Sequence, residues 1–394
     1  MKYTKIVICI ALITALAMCF AACSKETPVT ENISEAPVTA TVSLAEVLTP
    51  QRSQLLSSGE TLQLAIPKDR EVTITSSNEK VATVNGSGLV TAVGKGMAII
   101  TVSAGEDQAV CGVIVDGMGS LIDVTKLTRN EIFTDLQLHS GTEIMGMAMD
   151  AKNQTLYIAQ GYGSSSYVPL NSDFVISKVE KKGDAWELGS WMRFSGSGKG
   201  KIALDEDDRL WMESNGDYIG YGRAISLVEW EDNGYGLEEY GQVFTPKGVN
   251  SMTVAADTQN NMVLIYDRNE KCYRVYDREA MLAGEEAPDY VHSFACKANQ
   301  TPVAGVDDSQ GRYNASVHGY ALYDGYLYQF SGSSSIYLSV FDLNGNLQYC
   351  HRLQDLPEVE YYMPASVSVS EGKIYVVIAT GNSAYNLANL LVFE

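Results

Sequence analysis

Short runs of alternating apolar and polar residues cover most of the chain from residue 43 onward, and turns rich in Gly, Asn, Asp and Ser separate them. Alternation with a period of two is typical of strands that bury one face of a sheet. Closely spaced turns between such strands are typical of β-sandwiches and β-propellers. The pattern therefore predicts an all-β protein.

Residues 43–117 are predicted to form a small β-sandwich. Leu89, Thr91 and Val93 alternate with other residues, and the glycines Gly94 and Gly96 then precede another apolar run. The region shows no metal-ligand cluster and no pocket signal. A sandwich of fewer than about 100 residues without such a signal is predicted to be a spacer and not an enzyme.

This region resembles the bacterial immunoglobulin-like group 2 (BIG2) family. Thr75 departs from the family pattern, in which an aromatic residue often precedes the serines. The resemblance implies a surface spacer or adhesion module. The residues that match are Gly59-Glu60-Thr61, Ser76-Ser77-Asn78, Val81-Ala82-Thr83-Val84, Gly88-Leu89-Val90-Thr91-Ala92 and the pair Gly94 and Gly96.

Residues 121–394 contain a repeated unit, in which a polar Asn/Asp/Gly turn is followed by an aliphatic–aromatic strand. A strand precedes each turn, and a further pair of strands follows in the first four units. Each of these four units therefore has four strands, and the units repeat with a period of about 55 residues. This is the composition of a propeller blade, and the sequence therefore predicts a five-bladed β-propeller. The aligned positions of the five units are Tyr157, Trp211, Leu264, Tyr328 and Tyr375.

The last unit ends one strand early, and residues 129–138 (RNEIFTDLQL) are predicted to supply the missing outer strand. Closing the ring with both ends of the propeller region removes an exposed sheet edge. Within the fourth unit, Asn344-Gly345 is predicted to form a two-residue hairpin turn with positive φ angles. A further blade within residues 278–316 is the alternative to a count of five.

The N-terminal residues have the pattern of an export signal. Lys2 and Lys5 precede an uncharged apolar stretch, residues 6–20, which is shorter than the span of about 20 residues that crosses a membrane. Ala21 and Ala22 then precede Cys23.

This N-terminus resembles a bacterial lipoprotein signal peptide, in which the cysteine is lipidated, although Phe20 stands where Leu is more usual. The resemblance implies a signal peptide at 1–22 and a lipidated flexible tether at 23–42. The protein is then exported, anchored by lipid to the cell membrane or outer membrane and exposed at the surface, with no other membrane contact. An ordinary secretory signal with a chance cysteine is the alternative.

Charge and cysteine spacing exclude several classes of function. The net charge of −20 repels phosphate backbones, so no nucleic-acid partner is expected. Cysteines 111, 272, 296 and 350 show no C-x-x-C spacing, so neither a zinc site nor a redox motif is predicted. A disulfide between Cys272 and Cys296 and two packed thiols remain alternatives. We expect no cofactor and no metal, with calcium at the acidic DEDD stretch (205–208) as the minor alternative.

Candidate binding residues lie between strands two and three of the units and at the start of their first strands. These loops are rich in Gly, Ser and Asn, which supply adaptable hydrogen bonds, and in Tyr, which offers a flat face with a polar tip. This mixture suits sugar rings, although such loops are also how ordinary turns are built. The candidate ligand-binding residues are Tyr162, Tyr167, Tyr218, Tyr221, His139, His318 and Tyr385.

Two units also resemble blades of a five-bladed propeller family that includes helveticin-type bacteriocins and phage receptor-binding and teichoic-acid-associated proteins. The resemblance covers the unit that begins at His139 and the unit that begins at His318, and it weakens in the middle units. It implies recognition of cell-surface glycopolymers. The matching positions of the second unit are His318-Gly319, Tyr326 to Phe330, Gly332 and Asp342 to Gly345.

No catalytic residue is predicted, because the chain has no G-x-S-x-G, H-E-x-x-H or P-loop motif. His139 and His318 lack a visible nucleophile, and Glu143 is the nearest carboxylate by position. The sequence therefore predicts a protein that binds a carbohydrate or cell-envelope polymer through the top face of its propeller, with the Ig-like domain as spacer. A glycan-processing propeller enzyme and a scaffold for a surface protein are the alternatives.

Overall fold

The computed structural model describes residues 42–116, 121–124, 126–138, 142–162, 174–194, 202–204, 209–214, 224–229, 237–238, 242–244, 254–257, 259–267, 270–283, 289–296, 317–332, 336–352, 363–380 and 387–394. The described part is almost entirely β-structure. Its helical elements are α1 (Leu44–Leu48), the 3-10 turn Thr49–Gln51 and α2 (Arg278–Ala283).

The first strands form a two-sheet sandwich around an aliphatic core, as the sequence predicts. One sheet has the order β1-β7-β6-β3 and the other the order β2-β5-β4. Val90, Ile100, Val102 and Val113 are fully buried between the sheets, because alternate residues of each strand point inward. The strands are β1 (Ser53–Ser57), β2 (Thr61–Gln63), β3 (Thr73–Ser76), β4 (Ala82–Val84), β5 (Leu89–Ala92), β6 (Gly96–Ala104) and β7 (Asp107–Asp116).

The described strands after the sandwich form five largely antiparallel sheets, which we call blades one to five. Blade one is β9 (Thr142–Asp150), β10 (Thr155–Tyr162), β11 (Phe174–Lys182) and β12 (Ala185–Phe194), with the short β16 (Leu237–Glu238) added in parallel. Blade two is β13 (Ile202–Leu204), β14 (Arg209–Ser214), β15 (Ala224–Glu229) and β17 (Gln242–Phe244). Blade three is β18 (Val254–Asp257), β19 (Met262–Asp267), β20 (Cys272–Asp277) and β21 (His292–Phe294).

Blades four and five are the last two of the described sheets. Blade four is β22 (Val317–Tyr323), β23 (Tyr326–Gly332), β24 (Ile336–Phe341) and β25 (Leu347–Arg352). Blade five is β26 (Met363–Ser370), β27 (Lys373–Thr380), β28 (Leu387–Phe393) and β8 (Arg129–Gln137).

The first strands of the blades form a closed ring. β9 contacts β13, β13 contacts β18, β18 contacts β22, β22 contacts β26, and β26 returns to β9. At Gly319 the strands of blades four and five approach so closely that a Cβ would lie 2.8 Å from the Cα and the hydroxyl of Ser366. This cyclic contact of inner strands is the arrangement of a β-propeller. Residues 297–316 lie outside the described part, so the count of five blades stays a prediction.

The ring is closed by a strand from the beginning of the propeller region. β8 pairs antiparallel with β28, from Gln137 opposite Leu387 to Arg129 opposite Phe393. Thr128 and Glu394 extend the pairing by exchanging two backbone hydrogen bonds of 2.9 and 3.1 Å. The predicted role of residues 129–138 as the missing strand of the last blade is therefore confirmed.

The turn between β24 and β25 differs from the prediction. Of Asn344 and Gly345, only Gly345 has a positive φ, at 76°. The Gly345 N–H donates to the Asp342 carbonyl at 2.9 Å, and the Asp342 carboxylate accepts the N–H groups of Asn344 and Asn346. With these bonds Asn344 has no positive φ, and the turn is wider and accompanied by a register shift. Turns with positive φ at both central residues occur instead at Asp324-Gly325 and Glu371-Gly372.

The cysteines of the described part are thiols. Cys272 stands opposite Ala295 when the β20–β21 register is continued, so Cys272 and Cys296 point to opposite faces of the blade. Burial raises the pKa of Cys111 and of Cys296 to about 12. The two packed thiols are therefore the alternative that the structure supports.

Candidate functional site

The centre of the ring encloses a cavity of about 700 Å³. All five inner strands contribute to its wall, which is the usual place for a ligand site in a propeller. Short side chains form much of the wall and leave the space open. These residues are Ala148, Ala203, Ala255, Ala256, Ala321, Ser368 and Ser370.

Polar side chains gather where the inner strands of blades one, three and five turn into the second strands. Asp150, Lys152, Asn153, Gln259 and Glu371 reach the cavity there. The turns are tight, since Gln154, Asn261, Asp324 and Glu371 have φ angles between 50° and 57°. This end of the cavity therefore presents carboxylates, amides and an ammonium group from three blades.

The pair Asp150 and Asn153 forms a turn motif that recurs as Asp257 and Asn260. In each pair the carboxylate accepts the asparagine backbone N–H, at 3.0 and 3.2 Å, and its side-chain amide, at 2.7 Å in both. Aspartate is suited to this because its short side chain reaches a backbone group three residues on. In the sequence, the D-x-x-N pattern could have identified these cavity residues.

Asp257 is the most buried carboxylate of the cavity wall, with 5% exposure. Besides Asn260 it accepts the backbone N–H of Gly325 in blade four at 3.0 Å. Burial raises the pKa of the carboxyl, while these hydrogen bonds and the nearby Lys95 ammonium act in the opposite direction. Asp257 thus joins blades three and four at the edge of the cavity.

Two serine hydroxyls join blades five and one. The N–H of Met149 donates to the Ser368 hydroxyl at 3.0 Å, and the N–H of Ala151 donates to the Ser370 hydroxyl at 3.3 Å. These N–H groups lie on the inner edge of β9, where no further strand is available to pair with them. Both serines line the cavity and satisfy this edge.

The Ig-like sandwich reaches the same end of the propeller. The Lys95 ammonium forms a salt bridge with Asp324, next to the Gly325 that Asp257 binds. Burial lowers the pKa of Lys95, and the Asp257 charge opposes that change. The sequence gives no indication of this contact, because a lysine between two turn glycines is expected to be exposed to solvent.

None of the predicted ligand-binding side chains falls within the described part of the structure. Tyr162 and His318 belong to β10 and β22, but their side chains lie outside the description, as does that of Glu143 in β9. The other candidates lie outside the described residues altogether, together with the predicted signal peptide and tether. These are Cys23, His139, Tyr167, Tyr218, Tyr221 and Tyr385.

In the described ranges, no group of three or more His, Cys, Asp or Glu side chains is arranged to hold a metal ion. The helices of the same ranges are all too short to cross a membrane.

A family model described as "Bacterial Ig-like domain (group 2)" matches residues 38–113. The resemblance that the sequence predicts for this region is therefore confirmed. The match covers the sandwich and not the propeller. The chain is thus a two-part all-β protein with a group 2 Ig-like domain and a propeller. No curated protein matches the chain.

Solved structures give likenesses to each part. A GH10 xylanase from termite gut with a bacterial Ig-like domain is 31% identical, with a TM-score of 0.16, over 18% of this chain and 20% of the xylanase. The chain thus matches about a fifth of that enzyme's length.

Two further likenesses cover about two thirds of this chain. A GH43_1 enzyme from Xanthomonas citri, complexed with xylotriose, is 9% identical over 67% of this chain and 90% of its own, with a TM-score of 0.42. The Bacillus subtilis arabinanase Arb43A is 9% identical over 66% and 96%, with a TM-score of 0.37. The propeller assignment rests on the ring of sheets described above.

Proposed function

We propose that this chain is an exported surface protein that binds a carbohydrate or cell-surface polymer through its propeller. The observation that carries the proposal is the central cavity of about 700 Å³ with its polar rim. Its volume falls within the roughly 300–1,000 Å³ of small-molecule sites. Its hydroxyls, amides and carboxylates offer the many hydrogen-bonding partners that sugar rings require.

In this proposal the propeller has five blades, and the polymer extends from the polar turns at one end of the cavity to the top face at the other end, where the second strand of each blade passes to the third. The tyrosines and histidines predicted from the sequence stack on sugar rings there. Cys23 carries the lipid anchor, and the Ig-like domain separates the propeller from the membrane. The described carboxylates Asp150 and Asp257 are held by turn contacts, which favours binding without turnover over a glycan-processing enzyme.

A glycan array probed with the full chain tests the proposal. The variant Ala256→Phe fills the cavity, the triple variant Tyr218→Ala, Tyr221→Ala, His318→Ala removes the top-face candidates, and Val93→Phe on the exposed sandwich surface is the control. We expect binding to at least one glycan class and a loss of tenfold or more, about 1.4 kcal/mol, in one of the first two variants. Binding to no glycan contradicts the proposal, and release of shortened products supports the enzyme alternative.

A further inference from the structure

The Ig-like domain and the propeller share one apolar core. Met97 and Ile114 of the sandwich pack in the same cluster as Met262, Val291 and Leu343 of blades three and four. Met97 and Ile114 are 0% and 1% exposed. Domains that meet through polar surfaces usually move relative to each other, whereas a buried apolar interface restrains them.

The backbones at this interface approach too closely for an ordinary side chain. A Cβ at Gly112 in β7 would overlap the Val291 side chain and lie 3.2 Å from the Val291 carbonyl oxygen. Gly112 therefore lets this face of the sandwich lie directly on the propeller.

Polar contacts fix the interface at two places. At one of them, Lys95 pairs with Asp324 in blade four. At the other, Arg52 pairs with Asp289 before β21 at 2.8 Å, and the neighbouring Ser53 hydroxyl donates to His292 Nδ1 at 2.8 Å. His292 Nε2 in turn donates to the Leu343 carbonyl at 2.8 Å. Contacts at two places oppose rotation as well as sliding.

The direction of the sandwich strands gives this interface an orientation. Gly96 pairs with Val115 at the propeller end of the β6–β7 hairpin, and Ala104 pairs with Asp107 at the other end. The N–H of Leu44, where the chain enters the sandwich, donates to the Asp107 carboxylate at 2.9 Å. Eight residue steps separate Gly96 from Ala104 along β6, and five separate Gly112 from Asp107 along β7, so the entry point lies roughly 25 Å from the Gly96 end of the interface and roughly 17 Å from Gly112.

On the propeller, the contacts fall at the end of the blades where strand one turns into strand two and strand three into strand four. Asp324-Gly325 and Leu343 occupy these turns. Because the strands are antiparallel, strand two passes to strand three at the opposite end, as at Gly332 and Ile336.

From these observations we infer that the Ig-like domain is held rigidly against the propeller, and we call it a fixed strut for this reason. It directs the end of the propeller where strand two passes to strand three away from the point where the chain enters the sandwich. The domain is then not a flexible spacer, because it forms part of the propeller's wall between blades three and four. The use of this orientation in presenting a binding face rests on the proposed function, whereas the strut itself does not.

The variant Gly112→Val tests the strut, with Gly86→Val as the matched control. A side chain at Gly86 in the same domain would meet nothing within 4 Å. For the unaltered full chain and Gly86→Val we expect one calorimetric unfolding transition. For Gly112→Val we expect two transitions, and hydrogen exchange about tenfold faster in peptides carrying Met262 and Leu343. A single transition with unchanged exchange would overturn the inference.

Lys95→Met provides a second test if Gly112→Val does not fold, and Lys80→Met, at an exposed position of the same domain, is its control. We expect exchange at the Asp324-Gly325 turn to rise about tenfold in Lys95→Met alone. Equal exchange in the two lysine variants would contradict the strut. Because these measurements use no glycan, a chain that binds no glycan but shows the expected exchange would contradict only the proposed function.

Discussion

Two seams of the propeller are closed in different ways. The seam between blades five and one is closed by the chain's own strand β8 and by the hydroxyls of Ser368 and Ser370. The seam between blades three and four is covered by the Ig-like domain and contains Lys95 and Asp257. We call them the closing seam and the covered seam. The first is held by strand pairing and hydroxyl groups, and the second by apolar packing together with charged groups, so they should respond differently to substitution and pH.

The largest effect is expected from removing apolar packing at the closing seam. Leu390 of β28 is 0% exposed and stands opposite Phe133 of β8. Leu390→Ala should lower the free energy of unfolding by about 3 kcal/mol, because it removes buried methyl groups and leaves a cavity. Denaturant unfolding measures this, and Val110→Ala at a position with 42% exposure is the control. A loss below about 1 kcal/mol would show that β8 does not depend on this packing.

At the covered seam, removing a carboxylate should cost less. Asp257→Ala leaves the N–H groups of Asn260 and Gly325 without their acceptor, and it removes a charge beside Lys95. We expect a loss of about 2 kcal/mol. Asp184→Ala, in an exposed turn of blade one, is the control in the same unfolding measurement. Equal stability of the two variants would mean that the free-energy cost of burying the Asp257 charge cancels the stabilisation by its hydrogen bonds.

The two seams also differ in how far the sequence predicts them. The closing seam is predicted because strand counting leaves the last unit one strand short and residues 129–138 unassigned. The covered seam is not predicted, because Gly112 and Lys95 belong to an ordinary alternating strand and an ordinary turn. Their partners, Val291 and Asp324, lie about two hundred residues away along the chain. The alternation of apolar and polar residues indicates that one face of a sheet is buried, but it does not indicate which part of the molecule covers that face.

The candidate site shows the same limit. The sequence predicts the polar turns after the inner strands, but it does not predict that Asp150 and Asp257 line one cavity, because this depends on closure of the ring. The predicted two-residue turn at Asn344-Gly345 is wrong for a local reason. The Asp342 carboxylate competes for the turn's N–H groups, and turn residues alone do not reveal that competition.

A smaller effect is expected from the hydroxyls of the closing seam. Ser368→Ala leaves the Met149 N–H without its acceptor, and the free energy of unfolding should fall by about 1 kcal/mol. Ser368→Thr keeps a hydroxyl and is the conservative control. Since no charge is involved, the loss should be the same at pH 5 and pH 8. A loss of unfolding free energy that changes with pH would show that charged groups also affect the closing seam, as they do the covered seam.

The smallest effect is the pH response of the covered seam through His292. Burial lowers the pKa of His292 below its ordinary value of 6.5, and the hydrogen bond to the Leu343 carbonyl opposes this only in part. The unfolded chain therefore binds a proton more readily than the folded chain. Stability should fall as the pH drops from about 6.5 through the folded-state pKa.

His292→Gln should remove this part of the pH response, because the amide can accept the Ser53 hydroxyl and donate to Leu343 without taking up a proton near neutral pH. The measurement is the difference in unfolding free energy between the parent chain and the variant, taken from pH 5 to pH 8, so that carboxylates common to both cancel. His351→Gln, in β25 and outside the covered seam, is the matched control. If the two variants differ from the parent in the same way, the response does not arise at the contact between the Ig-like domain and the propeller.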